Sequence, residues 1–350
     1  MTQMKERKAD HIEIALTKKV SQDYCYWDDV KLVHEALPEV DLKDIDTKTT
    51  VLGKKLDFPF IVTAITGGFS GAKKINSNIA KACSELGIGM GIGSQRAAIE
   101  NIDKESYAVI KDYDIPLVIG NVGAPQLVQQ KKKKKFTAED VDAAAELIGA
   151  DAMAVHLNFL QEVVQPEGDT NAKGCYDAIR DLAKGRSIIV KETGAGISEK
   201  TAERLRGIGI RAIDVAGMGG TSFSAVELYR AKNAKDTIRA ELGKTFFDWG
   251  IPTPVSVIQA DVGLPIIASG GVMNGLHAAK AIAIGACCAG GANIVLKEAT
   301  ESAEAVKQKL ITIREEIRAA MLLTGSPDIN GLSLAEYIII GRTREWMGTE

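Results

Sequence analysis

Histidine is scarce in this chain, four in 350 residues, which argues against a metal centre built from several imidazoles. The cysteines (Cys25, Cys83, Cys175, Cys287 and Cys288) are odd in number and lack C-x-x-C spacing, so reduced thiols are expected rather than a disulfide framework. Cys287 and Cys288 adjoin an expected strand and should pack in the core. No apolar run reaches the roughly 20 residues that cross a bilayer. The opening segment, Met1 to Lys8, is charged and lacks the apolar core of a secretory leader, so a cytoplasmic protein is expected. Charge is nearly balanced at −3, which gives no electrostatic reason to bind nucleic acid. A G-x-x-x-x-G-K-[ST] loop is missing too, which sets nucleoside triphosphates aside.

What is present is an alternation. Eight short apolar runs, each ending in a Gly-rich or polar turn, are placed near Phe58–Ala64, Gly87–Gly91, Leu117–Gly120, Ala152–His156, Ser187–Lys191, Ala212–Val215, Ile266–Ala268 and Ala286–Ala289. Helix-period segments such as Ala72–Leu86, Asp103–Asp112 and Ala138–Ile148 separate them, and a long amphipathic helix is expected over about Glu301–Leu323. Strict strand–helix alternation means a parallel sheet. Eight units without a topological reversal favour an α/β fold of the (β/α)8 TIM-barrel type over a doubly wound sheet. Residues 58–350 then form the barrel. Residues 1–57, with a helix near Lys8–Lys18, form an N-terminal extension packing on it or on a neighbouring subunit. The segment Ala240–Val257 is too long for a simple connection and should carry a short helix or a lid. The run Lys131–Lys135 reads as a solvated loop before a helix capped by Thr137, or alternatively as a patch for anionic ligands.

Active sites of such barrels form at the C-terminal strand ends, and phosphates bind after the late strands. Three Gly-rich turns lie there: Gly217–Phe223, Ala268–Gly275 and Ala289–Asn293. Their amides can converge on phosphate oxygens, helped by the positive end of a following helix. Each turn alone is equally well explained by tight packing; three on adjacent strand ends point to a mononucleotide cofactor. From the other strands come Thr66-Gly67-Gly68, Gly93-Ser94-Gln95-Arg96, Gly120-Asn121-Val122-Gly123, His156 to Glu162, and Val190-Lys191-Glu192-Thr193-Gly194. His156 and Asn158, two apart, face the same way on extended backbone. A lysine ending an apolar strand must neutralise something anionic: a carboxylate in a buried ion pair, or, as preferred here, a reduced flavin beside Lys191. His156 can equally be a satisfied core histidine and Glu162 a surface carboxylate. A single carboxylate facing a diphosphate would suit Mg2+.

These strings closely resemble the type 2, FMN-dependent isopentenyl-diphosphate isomerases. The likeness runs in order from Arg7-Lys8 and His11 through Thr63–Gly68, Gly93–Arg96, Gly120–Ala124, His156–Glu162, Gln165–Asp169, Val190–Glu192, Gly219–Ser222 and Ser269–Gly271. It implies interconversion of isopentenyl and dimethylallyl diphosphates, with FMN active in its reduced form, Mg2+ on the diphosphate and NAD(P)H as reductant. It further implies that FMN contacts Ala64, Ile65, Thr66, Ser94, Asn121, Lys191 and Thr221, with its phosphate near Gly271, Val272, Met273, Ala289 and Gly290. The diphosphate would meet Arg7, Lys8, His11, Ser94, Gln95, Arg96 and Gln161. His156, Asn158, Gln161 and Lys191 would serve the chemistry, and Glu162 the metal. Two positions depart from the pattern: Met273 stands where the family often has arginine, and Phe223 where it often has tryptophan. The first removes a charge from the phosphate site.

No Cys and Glu pair suited to protonating an unactivated alkene is evident; the resemblance implies that reduced FMN supplies the acid–base groups while the protein orients and stabilises. Rival readings are a 2-hydroxyacid oxidase, an IMP-dehydrogenase-like enzyme (for which Gly217–Phe223 lacks the nucleophilic cysteine) and a non-catalytic flavin protein. Arg7 and Lys8 precede the barrel, and a neighbouring subunit could hold them, so a homo-oligomer is expected; the resemblance implies a homotetramer or homo-octamer.

Overall fold

The computed structural model describes residues 2–131 and 133–348, with side chains described from Glu6 onward. Lys132 of the lysine run falls outside the described residues. Eight parallel strands close into a barrel: β1 (Phe60–Val62), β2 (Gly89–Gly91), β3 (Val118–Gly123), β4 (Ala152–Leu157), β5 (Ile188–Glu192), β6 (Ala212–Asp214), β7 (Ile266–Ser269) and β8 (Cys288–Gly291). Each neighbours the next in sequence, and β8 returns to β1 through the pairs Ala289–Phe60 and Gly291–Val62. All eight expected strands are found. The first begins two residues late, where Pro59 has no amide to give to a ladder.

Side chains alternate across the wall as period two requires. Ile61, Ile119, Ala154, Ile189 and Ile267 fill the barrel interior. Phe60, Val62, Val118, Val155, Val190 and Ile266 face the helical layer. The hairpin Thr49–Val51/Lys54–Leu56 adds Val51 and Leu56 to the interior cluster. That apolar filling turns the polar strand ends into the floor of a cavity.

Five helices matter for the site: α1 (Thr2–Thr17), α2 (Phe159–Val164), α3 (Phe223–Asn233), α4 (Gly275–Ala283) and α5 (Ala303–Leu323). The long expected helix is interrupted at Ser302, whose hydroxyl accepts from Ala305 N and so starts α5 as an N-cap. The segment after β6 carries helices at Thr237–Thr245 and Thr253–Gln259, so the short-helix alternative is the one found. The expected Asp103–Asp112 helix is a short α-turn, Glu105–Ala108, continued as 3-10 helix.

The N-terminal segment is held by its own chain. Strand Val30–Leu32 pairs antiparallel with Tyr337–Ile339. Buried Asp29 accepts from Tyr24 Oη (2.8 Å), Thr343 N (2.9 Å) and Thr343 Oγ1 (2.9 Å), tying residue 24 to the chain's last helix. Hydrogen bonds to a buried carboxylate are strong, and removing it strands their donors. Asp29→Ala should therefore lower unfolding free energy by roughly 3 kcal/mol in denaturant titrations; an unchanged midpoint would contradict this latch.

Candidate active site

A cavity of about 440 Å³ opens at the C-terminal mouth of the barrel, lined from β1 through β8 and covered on one side by α1 and by Ser21–Trp27. One end is made of backbone. Gly219, Gly270 and Gly271 have φ of +132°, +106° and +69°, values open to glycine, and the two glycine pairs touch. A Cβ on Gly220 would stand 2.7 Å from Gly271 N, and one on Gly271 2.8 Å from Gly219 C. Only glycine permits this approach. The Trp27 indole donates to Gly270 O at 3.1 Å, and α4 starts just beyond, capped by Asn274. Converging amides at a helix start make an anion cradle that side chains would fill. These turns fit the phosphate of a mononucleotide.

Val272 and Met273 line this end as expected, Met273 half-exposed. Ala289 and Gly290 do not. Both are buried inside β8, and a Cβ on Gly290 would meet Thr63 Cγ2. The strand runs to Gly291, so the chain reaches the cavity at Gly291, Ala292 and Asn293.

Opposite the glycine turns, polar side chains converge. Lys191 is buried, with Nζ donating to Glu192 O at 2.5 Å and lying 3.8 Å from Asp214 Oδ2. Asp214 also accepts from Ser269 Oγ (2.5 Å) and Ala216 N (3.3 Å). Burial raises the Asp214 carboxyl above its ordinary range, and the Lys191 ammonium opposes that rise. The ion-pair reading of Lys191 thus applies while the side chain still lines the cavity. Nothing in the sequence marks Asp214 and Ser269 as its partners: each ends an apolar strand, far along the chain from Lys191.

His156 Nδ1 lies 2.8 Å from Asn121 Oδ1. Burial, and then the charges of Lys191 and Lys8, push the imidazole down to about 3, so it stays neutral. Nδ1–H then donates to Asn121, a tautomer assigned from this hydrogen bond. Asn158 donates to Gln161 Oε1 (3.1 Å) and Glu162 Oε1 (3.0 Å), and Asp169 N donates to Glu162 Oε2 (2.6 Å). Burial raises the Glu162 carboxyl. Asn158 Oδ1 is buried without a partner, next to that carboxylate. An unpartnered oxygen beside a carboxylate fits a hard, oxygen-seeking cation such as Mg2+.

The third wall is cationic. Lys8 Nζ donates to Ser94 O and to Tyr107 Oη, both at 2.8 Å, and burial with neighbouring Arg7 brings it down to about 7. Arg7 Nη1 lies 3.9 Å from Glu167, and its Nε is buried without a partner. Arg96 donates to Glu100 and Asp169, each at 2.8 Å. His11 Nε2 is 2.9 Å from Glu227. Of the expected diphosphate contacts, Arg7, Lys8, His11, Ser94, Arg96 and Gln161 line the cavity. Gln95 does not. Its side chain turns into the wall, donating to Ala144 O (2.7 Å) and accepting from Asn121 N (3.0 Å). It braces Asn121 instead.

Ala64, Ile65, Thr66, Asn121 and Thr221 line the cavity as well. Thr193 and Gly194 line it from the end of β5, as the run after Lys191 leads one to expect, whereas Tyr24–Trp27 and Gln126 line it with no signal in the sequence. The aromatic stretch lies in irregular chain with no period to flag it. The helix holding Arg7, Lys8 and His11 sits on its own barrel, where all three line the cavity.

The chain matches the family of FMN-dependent dehydrogenases over residues 7–113 and 120–338. It is 47% identical over 343 residues to the isopentenyl-diphosphate delta-isomerase of Thermoplasma acidophilum, covering 98% of both chains. With the enzyme of that name from Halobacterium salinarum it shares 44% over 353 residues, covering 99% of this chain and 96% of the other. The chain belongs to the isopentenyl-diphosphate delta-isomerase branch of this FMN-dependent family. Solved structures with the same fold include a mandelate oxidase with (S)-2-phenylpropionate (TM-score 0.65, 16% identity, 97% of this chain and 98% of that one). A flavocytochrome b2 variant aligns at TM-score 0.64 and 16% identity, over 92% and 81%. At that identity they attest to the barrel alone.

For a member of this isomerase family the neutral imidazole is a checkable feature. The folded His156 pKa, about 3, lies below the ordinary 6.5, so the unfolded chain takes up the proton first. Stability therefore falls as pH is lowered from about 6.5 toward 3, and His156→Gln should remove part of that slope. A His156 ring signal titrating near 6.5 by NMR would contradict the account.

Proposed function

We propose that this protein interconverts isopentenyl and dimethylallyl diphosphates, using reduced FMN, Mg2+ on the diphosphate and NAD(P)H as reductant. The observation that carries the reading is one cavity with three chemically distinct sides: an amide cradle, a buried ammonium, and a cluster of Arg7, Lys8 and Arg96 near Glu162. The full-length likeness to isomerases of that name supports the substrate.

In this reading Gly219, Gly220, Gly271 and Val272 hold the cofactor phosphate, and Ala64, Ile65, Thr66, Asn121 and Thr221 border its ring. Bound and reduced, FMN supplies the acid–base groups that shift the double bond without net redox change. Lys191 places a positive charge where an anionic ring would lie, and Asp214 with Ser269 fixes its position. Arg7, Lys8 and Arg96 would neutralise the diphosphate, and Glu162 with Asn158 would hold the metal, which would supply further positive charge for the diphosphate. His156, held neutral with its Nδ1–H given to Asn121, leaves Nε2 as an acceptor for orientation without placing a cation beside a developing carbocation. Gln161, bonded to Glu227 at 3.3 Å, closes the same side. A homotetramer or homo-octamer in the cytoplasm belongs to this proposal; exposed Leu334, Ile338 and Trp346 supply apolar surface for it.

The test is an anaerobic assay of purified protein with isopentenyl diphosphate, FMN, NADPH and Mg2+, with 2-hydroxyacids in parallel. Dimethylallyl diphosphate should form only after reduction; full turnover with oxidised FMN alone, or turnover of hydroxyacids instead, would overturn the reading. Glu162→Gln should keep the bound flavin and lose roughly 100-fold or more of the Mg2+-dependent rate. An unchanged rate would remove Glu162 from the metal. Lys8 adds a pH signature: being near 7 in the free protein, its charge is lost as pH rises. Substrate KM should therefore climb above pH 7, and Lys8→Met should raise KM at pH 6 and flatten that climb.

A further inference from the structure

Cys25, Asp28 and His277 meet beside the phosphate turns, and none of them has a part in the proposed isomerisation. Cys25 Sγ lies 4.0 Å from His277 Nε2, and Asp28 Oδ1 lies 3.8 Å from the same nitrogen. All three ligand atoms fall within 4.8 Å of one another. In a tetrahedral zinc site, with Zn–S near 2.3 Å and Zn–N near 2.0 Å, ligand atoms stand about 3.5 Å apart. A closure of roughly half an ångström onto His277, and of up to about 1.3 Å between Cys25 and Asp28, would form the site, and the exposed Asp28 side chain can make it. His277 is already arranged as a ligand. It is buried, its Nδ1 sits 3.3 Å from Gly271 O, and its ring lies stacked on Trp27 with centroids 6.3 Å apart. Met273 N lies 3.4 Å from the same Nδ1; metal binding selects the tautomer in which Nδ1–H donates to Gly271 O, as a metal-bound imidazole characteristically donates to a carbonyl, and frees the Nε2 lone pair.

We propose that Cys25 Sγ, Asp28 Oδ1 and His277 Nε2 form a binding site for one thiophilic divalent cation of the Zn2+ class, with its fourth position open to water. Binding displaces the Cys25 thiol proton to solvent; the thiolate and the carboxylate together balance the ion's two charges. Lys280, whose Nζ is held by Trp27 O at 2.8 Å, opposes the cation but equally disfavours a protonated His277. This set of sulfur, nitrogen and oxygen donors differs in kind from the Glu162–Asn158 oxygens, and it selects a softer ion. The ion would clamp the N-terminal segment to the start of α4, beside the turn that Trp27 and His277 already touch.

The test is equilibrium dialysis of the purified flavoprotein with Zn2+ in excess Mg2+, followed by elemental analysis. Co2+ difference spectra then report sulfur ligation. One Zn2+ per chain should bind, with a thiolate-to-Co2+ charge-transfer band and release of a proton. Cys25→Ser should abolish that band and weaken Zn2+ at least roughly tenfold, and Asp28→Asn should weaken it less. Glu162→Gln should leave Zn2+ binding unaltered. Substoichiometric Zn2+ in the parent protein, or equal binding by Cys25→Ser, would overturn the site. Loss of Zn2+ only in Glu162→Gln would overturn it too, by placing the ion at the diphosphate metal. Far-UV circular dichroism of each variant shows that the fold is retained, and isomerase turnover, read separately, leaves the function proposal independent of the outcome.

Discussion

The buried Lys191 ammonium is the charge around which the rest of the cavity is arranged. An unpaired cation at the end of an apolar strand costs several kcal/mol, so the fold must compensate it. Asp214 at 3.8 Å and the Glu192 carbonyl do so from the barrel side. Among the described residues Asp214 is the carboxylate that pairs with it, and on the cavity side an anionic ligand would complete the neutralisation. His156 stays neutral because Lys191 and burial both forbid a second cation there. That one constraint separates the cationic wall at Arg7, Lys8 and Arg96, proposed for the diphosphate, from the centre proposed for the chemistry.

The barrel gives these groups a shared frame. Period-two alternation fills the interior with Ile61, Ile119, Ala154, Ile189 and Ile267, so polar residues can only gather beyond the strand ends. Parallel strands bring eight such ends to one rim. The glycine pairs on neighbouring turns then allow backbone to approach backbone, which no side-chain-bearing residue would permit. Rigid backbone makes one end of the cavity; titratable side chains make the other.

Much of this was legible from the chain itself, for physical reasons. Strand and helix periods differ, so the eight strands and the rim residues that follow them, such as His156, Lys191 and Thr221, could be placed from spacing. Errors arose where one residue changes direction. Gln95 follows a strand end, and its side chain was assigned to the rim, whereas it turns into the wall to brace Asn121. Ala289 and Gly290 were assigned to a turn, but pairing with β1 carries the strand on to Gly291. Tyr24–Trp27 has no periodicity, so nothing local showed that Trp27 reaches Gly270 O. Pairings between residues far apart in sequence, Lys191 with Asp214 or Asp29 with Thr343, depend on closure of the whole fold and leave no local pattern.

The central claim is that Lys191 favours an anionic ring in the proposed FMN site. Its most direct test is the midpoint potential of flavin bound to the parent protein and to Lys191→Met, measured anaerobically at one pH. Loss of the ammonium should lower the two-electron potential by roughly 30–60 mV, because the reduced anion loses its partner while the oxidised ring loses little. An unchanged or higher potential in Lys191→Met, with flavin still bound, would contradict the account.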